Sequence, residues 1–510
     1  MTDVVRVALD PSRRIGPVRR ELFGSFIEHL GRAVYDGIYE PGHPSAGPDG
    51  FRRDVIDLVR ELGVTTVRYP GGNFVSGYRW EDGVGPREER PTRLDLAWHS
   101  TETNEVGLHE FAAWLEQVDG ELMLAVNLGT RGVEAALDLL EYANAPTPTT
   151  LTRRRAAGGH PEPFGVRIWC LGNEMDGPWQ LGHRSADDYG KLAAETARAM
   201  RQLDPNVELV VCGSSSAHMP TFGSWERTVL QHTYELVDYV SCHAYWYEKD
   251  GDTASFLASA VDMDRFIEAV VATADAVAAE KRSTKKMMIS FDEWNVWYQE
   301  RFESSERITD IATWPRAPRL LEDSYDVADA VVVGSLLISL LNHADRVAAA
   351  SLAQLVNVIA PIMTEPGGPA WRQTTFYPFA LTSQRGGGVA LEPRIESPTH
   401  RTADYGEVPR VSVAAVDGGE TLSIFVVNRS PGEETRLDVD LAAFTELELT
   451  GALTLADADL RARNTLDDPD RVTPAANPTA EFAAQRLSLT LPAASWSVVD
   501  LRRIDTKAVV

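Results

Sequence analysis

Apolar and polar positions follow one repeating texture over roughly residues 20–385 and a different one after it. In the first stretch, short apolar runs alternate with longer segments whose apolar residues return every three or four positions. The short runs are "LFGSFIEH", "VTTVRYPGG", "LMLAVNLG", "VRIWCLGNE", "ELVVCGSS", "VDYVSCHAY", "MMISFDEW" and "VAAASLAQL". Brief apolar runs bounded by polar residues read as buried strands. The segments between them read as amphipathic helices. Residues 51–62 place Val55, Leu58, Val59 and Leu62 on one stripe, and 107–118, 133–143, 187–203 and 326–342 behave alike. Eight strands alternating with helices predict an α/β protein built on a (β/α)8 TIM barrel over 20–385. A doubly wound open sheet is the competing architecture, but the chain carries neither G-x-G-x-x-G nor a Walker A sequence.

Past "RGGGVALEP" (385–393) the period drops to two. "RVSVAAV", "TLSIFVVN", "TRLDVDL" and "LSLTLP" alternate apolar and polar residues between Gly, Pro and Asp turns. That pattern predicts a smaller, antiparallel all-β sandwich over 386–510. The N-terminal "DVVRVALD" shares the period and has no helix after it, so 1–19 is expected to join the sandwich rather than the barrel. Residues 467–478, "DDPDRVTPAANP", read as an exposed loop.

Barrel enzymes carry their chemistry at the C-terminal ends of the strands, and here nearly every strand ends in groups able to grip a polyol. The first ends in Glu28 and His29, the second in "RYPGGNF" with Arg68 and Asn73, and the fourth in Asn173 and Glu174. The sixth ends in His243 and Tyr245. The seventh ends in Asp292, Glu293, Trp294, Asn295 and Trp297, and the eighth in Gln354 and Asn357. Each residue alone has a plain reading as a cap, an ion pair or rim packing. Six such endings on one rim point to a site.

Glu174 and Glu293 stand out, each after an apolar strand and each near tryptophan. Glycosidic bond cleavage uses such a pair: one carboxylic acid protonates the leaving oxygen, and one carboxylate attacks or activates water. The acid must stay protonated, which burial among apolar neighbours achieves. The nucleophile must stay ionised, which Arg68 favours. No ligand spacing supports a metal site: Glu28–His29 stands alone, and "HEFAA" is not H-E-x-x-H.

Composition narrows the partners. The formal charge of −26, from 75 acidic against 49 basic residues, repels phosphate backbones and argues against nucleic acid, while a neutral sugar meets no such barrier. Cys170, Cys212 and Cys242 form no disulfide framework and read as buried core residues in a reducing compartment. "MTDVVRVALDPSRR" lacks the apolar core of a signal peptide. The longest apolar run, "VVVGSLLISLL" (331–341), falls short of the ~18 residues that span a bilayer. A soluble cytoplasmic protein with no membrane partner is expected.

"FGSFIEHLGR", "VRYPGGNFVSGYRWEDGVGP", "WCLGNEMDGPWQLGH", "CHAYW", "DEWNVWY" and "LAQLVNVIAPI" closely resemble the α-L-arabinofuranosidases of glycoside hydrolase family 51. The likeness runs from the N-terminus through "AWRQTTFYPF" (370–379). It implies a retaining, exo-acting enzyme that releases terminal α-L-arabinofuranosyl residues from arabinan, arabinoxylan or derived oligosaccharides. Matched motif by motif, it implies Glu174 as acid/base and Glu293 as nucleophile. Glu28, Asn73, Asn173, Tyr245 and Gln354 would hydrogen-bond the arabinofuranose. Trp297 and Trp179 would close the pocket, and Arg68 and His243 would orient the nucleophile and keep it ionised. The resemblance implies no metal or organic cofactor, and a homo-oligomer, commonly a hexamer, in the cytoplasm. An endo-β-glucanase or β-xylosidase on the same scaffold, and a non-catalytic sugar-binding barrel, are the alternative readings. Residues 299–318, charged and loop-like, sit where leaving-group preference is set.

Overall fold

The computed structural model describes residues 4–504. Eight parallel strands close into a barrel in chain order: β1 Gly24–Phe26, β2 Thr66–Tyr69, β3 Glu121–Ala125, β4 Ile168–Leu171, β5 Glu208–Val211, β6 Tyr239–Trp246, β7 Met288–Val296 and β8 Val347–Ala353. The main helices around it are α1 Arg53–Leu62, α2 Leu108–Gln117, α3 Val133–Asn144, α4 Ala186–Leu203, α5 Ser224–Thr233, α6 Ala260–Lys281, α7 Val327–Asn342 and α8 Phe376–Arg385. The stripe foreseen on α1 is the face it buries, with Val55, Ile56, Leu58, Val59 and Leu62 inward. The helix stops at Gly63, whose φ of 76° turns the chain left-handed while its N–H bonds back to Val59 and Arg60.

The lumen is filled by alternate strand residues. Met123 and Ala125 of β3, Ile168 and Cys170 of β4, Val210 of β5, Tyr239 of β6 and Ala348 of β8 pack there with Val75. Their neighbours, such as Trp169, Leu171, Val240 and Cys242, join the larger core shared with the helices. This period-two division is what a barrel wall requires, because successive side chains leave a strand on opposite faces. All three cysteines are buried and unpaired.

Apart from three two-stranded hairpins, the remaining strands among the described residues form two sheets. One has the order Arg394–Glu396, Val4–Ala8, Thr435–Asp440, Arg486–Leu491 and Glu481–Ala483. The other contains Arg14–Val18, Gly388–Leu391, Val411–Asp417, Thr421–Asn428, Ser495–Arg503, Leu447–Leu455 and Ala475–Ala476. Two N-terminal strands enter these sheets, one in each, and Arg14–Val18 escaped the sequence reading. The arrangement departs from the expected all-antiparallel sandwich, because Val4–Ala8 runs parallel to Thr435–Asp440. A strand arriving from the far end of the chain is free of the hairpin geometry that forces neighbours antiparallel. The stretch 467–478 is mostly exposed, yet Val472 is buried and Ala475–Ala476 extends the second sheet.

Helix α7 couples the barrel to this second layer. It is buried all round from Val327 to Leu341, as a helix enclosed on every side must be. Gly334 lies directly against Trp496, and a Cβ there would enter the indole ring.

Candidate active site

Local backbone features bring the polar strand endings together. On β7, Ser290 pairs with Ser241 of β6, but the next register pair is Glu293 with His243, so β7 carries one extra residue. The partnering with β8 shifts over the same stretch, between Phe291 and Trp294. Such a bulge breaks the in–out alternation and re-aims side chains. Asp292 and Glu293 consequently meet the same two partners, Arg68 and His243. At the end of β4, Gly172 and Glu174 both take positive φ, 95° and 42°. A left-handed glutamate is uncommon and costs conformational energy, and here it swings the carboxyl toward β6. After β2, Gly71 has φ 148°, and a Cβ on it would lie 2.5 Å from Glu28 Cγ. A Cβ on Gly72 would sit 3.2 Å from both Glu28 Oε2 and Glu293 Oε1. The glycine pair lets main chain approach two carboxyl groups.

Glu293 is held on both oxygens. Arg68 Nη1 donates to Oε1 at 2.8 Å, and the Tyr245 hydroxyl donates to Oε2 at 2.7 Å. Arg68 also donates through Nη2 to Asn173 Oδ1 at 2.8 Å and lies 3.6 Å from Asp292. Asn173 in turn donates to Asn73 Oδ1 at 3.3 Å. Burial pushes the Glu293 carboxyl above its ordinary range, aided by the charge of Glu174, while His243, Arg68 and the Tyr245 hydrogen bond pull it back.

Glu174 accepts hydrogen bonds from the Trp179 indole at 2.7 Å on Oε2 and from His243 Nδ1 at 3.0 Å on Oε1. This differs from the apolar surroundings expected for the acid, since an imidazole and an indole N–H face the carboxyl. His243 Nε2 reaches Asp292 Oδ1 at 3.1 Å, and Nδ1 is 3.6 Å from Glu293. Burial works against a charge on this imidazole, but Glu293, Asp292 and Glu174 outweigh it and raise its pKa well above the usual value. Ligand atoms of Glu174, His243 and Glu293 all lie within 4.8 Å of one another.

Glu28 accepts from the Phe74 backbone N–H at 2.7 Å and the Trp98 indole at 2.9 Å, both on Oε1. Its own N–H donates to Gln354 Oε1 at 3.0 Å. Trp297 packs edge-on against Tyr245, with ring centres 5.1 Å apart, and Trp179 is 54% exposed. The residues to which the family resemblance gives a role therefore lie in this neighbourhood.

Several strand-end residues do not. His29 turns away from Glu28 to bond Glu102 and Tyr69 at 2.8 and 2.9 Å. Trp294 joins the large core cluster. Asn295 donates to the carbonyls of Ala353 and Ile359, and Asn357 to that of Arg32, so both brace loops rather than face a ligand. Sequence reasoning passed over Trp98, which lies in the turn between the short strands Arg93–Asp95 and Ser100–Glu102, far along the chain from any barrel strand end. It noted Asp292 but gave it no role.

Burial drives the Glu28 carboxyl up to about 8, against the Phe74 and Trp98 hydrogen bonds. From pH ~4.5 to ~8 the unfolded chain releases this proton while the folded chain keeps it, so the residue destabilises the fold increasingly over that window, by a few kcal/mol. Glu28→Gln preserves the acceptor oxygen and removes the titration. Its Tm relative to the native protein should rise steadily between pH 5 and pH 8. A pH-independent difference in Tm would refute this.

Comparison with known proteins places the chain. Residues 58–253 match the model of the α-L-arabinofuranosidase 1 domain, and 292–495 match that of the α-L-arabinofuranosidase C-terminal domain. An exo-α-(1→6)-L-arabinofuranosidase of Bifidobacterium longum is 60% identical over 507 residues, covering 98% of this chain and 97% of the relative. The intracellular exo-α-(1→5)-L-arabinofuranosidase 1 of Bacillus subtilis strain 168 is 50% identical, covering 98% and 99%. The structure of AbfB, a family 51 α-L-arabinofuranosidase from Bifidobacterium longum, superposes with a TM-score of 0.94 at 49% identity, covering 98% of this chain and 99% of that one. With two buried glutamates facing each other across the mouth of such a barrel, the chain belongs to the α-L-arabinofuranosidases of glycoside hydrolase family 51 and is a glycoside hydrolase.

Proposed function

We propose that this exo-α-L-arabinofuranosidase releases terminal non-reducing α-L-arabinofuranosyl residues, from arabinan, arabinoxylan or their oligosaccharides, by double displacement with retention. The observation that carries this reading is the separation of the two carboxyl groups. Oxygens of Glu174 and Glu293 approach within 4.8 Å, whereas an inverting pair stands ~6.5–9.5 Å apart to admit a water between sugar and base.

In the first step Glu293 attacks the anomeric carbon and forms an ester, while Glu174 gives its proton to the departing glycosidic oxygen. In the second step Glu174 takes a proton from water as the water oxygen displaces Glu293. Arg68 and the Tyr245 hydroxyl keep one oxygen each of Glu293 in place. His243 links the two glutamates, so a change in one is felt by the other. Asn173 spends its oxygen on Arg68 and one N–H on Asn73, which leaves a second N–H for the sugar 2-hydroxyl. Glu28, kept neutral by burial, has a proton to donate to another hydroxyl.

Relatives at 50–60% identity act, by name, as exo-arabinofuranosidases, which weighs against the glucanase, xylosidase and non-catalytic readings. Several are named intracellular, and no helix among the described residues is long and apolar enough to cross a membrane; both support a cytoplasmic enzyme. The exposed side chains of Leu94, Leu96 and Ile311 support a homo-oligomer, for which the family resemblance indicates a hexamer.

The test is proton NMR of early hydrolysis of 4-nitrophenyl α-L-arabinofuranoside. The α anomer of arabinofuranose should appear first, followed by mutarotation. Initial β product would overturn retention, and no hydrolysis would overturn the activity itself.

A further inference from the structure

Beside the catalytic pocket lies a second, polar cavity of about 170 Å³. It shares one wall residue with the active site, Tyr245, whose hydroxyl rests on Glu293. Ser215 lines it from the loop after β5, Tyr247 from the loop after β6, and Asp262 from helix α6. The far wall comes from the other layer of the molecule. Strands Thr399–Thr402 and Gly406–Pro409 form a hairpin between two sandwich strands, and its tip supplies Asp404 and Tyr405.

The hairpin is fixed where it lands. Backbone N–H groups of Ala403 and Asp404 both donate to Ser255 Oγ at 3.1 Å. The Arg265 guanidinium lies 5.9 Å from the Tyr405 ring centre. The near wall is tied to the acid/base strand: Ser215 donates through its N–H and its hydroxyl to Asp176 at 3.0 and 3.1 Å, two residues beyond Glu174.

This placement decides what the cavity faces. The oxygen protonated by Glu174 carries the leaving group, and the cavity is tied to the two catalytic carboxyl groups through Ser215 on Asp176 and through Tyr245 on Glu293. Hydroxyl and carboxylate acceptors beside three tyrosine rings are suited to a sugar, whose hydroxyls need partners and whose ring carbons pack on aromatic faces. The volume is well below the ~300–1,000 Å³ of pockets that enclose drug-sized ligands, and it suits a single ring.

We propose that this cavity holds a sugar residue on the leaving-group side of the scissile bond, and that the sandwich hairpin, through Asp404 and Tyr405, is a specificity element of the enzyme. The proposal rests on the arabinofuranosidase reading and adds that substrate selection depends on a segment outside the barrel.

The experiment compares Tyr405→Ala and Asp404→Ala with the native chain on two substrates. One is an arabinose-terminated arabino-oligosaccharide of at least three residues; the other is α-L-arabinofuranosyl fluoride, whose leaving group has no ring to place in the cavity. On the oligosaccharide, kcat/KM should fall about tenfold, mainly through KM, as expected when binding shared by ground and transition states is removed. On the fluoride both variants should stay within about twofold of native. Unchanged oligosaccharide turnover in both variants would overturn the proposal. So would an equal loss on both substrates, which marks the hairpin as a structural brace only. Asp404 is exposed, so its variant reports even if loss of the Tyr405 ring disturbs the hairpin. Native turnover of the fluoride separates failure of this site from failure of the activity, because only the latter removes it.

Discussion

Replacing Glu293 with alanine is expected to lower kcat by about 10,000-fold or more on every arabinofuranoside, because no covalent intermediate can form without the carboxylate. The surroundings argue that the variant still folds. Arg68 loses its 2.8 Å partner but keeps Asn173 at 2.8 Å and Asp292 at 3.6 Å, so the buried guanidinium retains a counter-charge. The space vacated sits between Arg68 and Tyr245, where a small anion is attracted. Azide should therefore restore turnover of 4-nitrophenyl α-L-arabinofuranoside and yield the β-configured arabinosyl azide. It attacks once, from the face Glu293 occupied. Undiminished activity would remove Glu293 from the mechanism, and an α-configured azide would show that another group still forms the intermediate.

How much of this was legible in the chain differs from residue to residue. The barrel strands announce themselves because each is a short apolar run ending in polar groups. Glu174 and Glu293 could be chosen because each follows such a run. What the pattern hides is the one-residue excess on β7. Strict alternation would send Asp292 and Glu293 to opposite faces, and only the bulge against β6 and β8 gives them common partners. Without it, Asp292 reads as a neighbour rather than as the residue holding His243 Nε2.

His29 shows the opposite failure. It stands next to Glu28 at a strand end, which made it look functional, yet its imidazole is consumed by Glu102 and Tyr69. Trp98 carries no local signal at all. It reaches Glu28 from the connection between β2 and α2, and contacts so distant in sequence leave no period to detect. The parallel entry of Val4–Ala8 into the sandwich is invisible for the same reason, since alternation reveals a strand but not its neighbours.

Glu174→Ala should separate substrates by their leaving groups. A nitrophenolate departs as a stable anion and needs little protonation, whereas a sugar alkoxide cannot leave without a proton. General acid catalysis is worth about 100- to 10,000-fold, so kcat/KM on arabino-oligosaccharides should fall by about that factor. With a dinitrophenyl arabinofuranoside the first step should be nearly spared, and loss of the general base should instead slow hydrolysis of the ester on Glu293. Azide then accelerates turnover again, but because Glu293 has already inverted the centre once, the arabinosyl azide should be the α anomer. The same reagent thus gives β from one variant and α from the other, a contrast that loss of folding cannot produce. Removing the Glu174 carboxyl also takes one partner from His243 Nδ1, but Asp292 at 3.1 Å and Glu293 at 3.6 Å remain, so the imidazole stays charged beside the nucleophile. Equal losses on good and poor leaving groups, or a β azide from this variant, would mean that the carboxyl on β4 is not the proton donor.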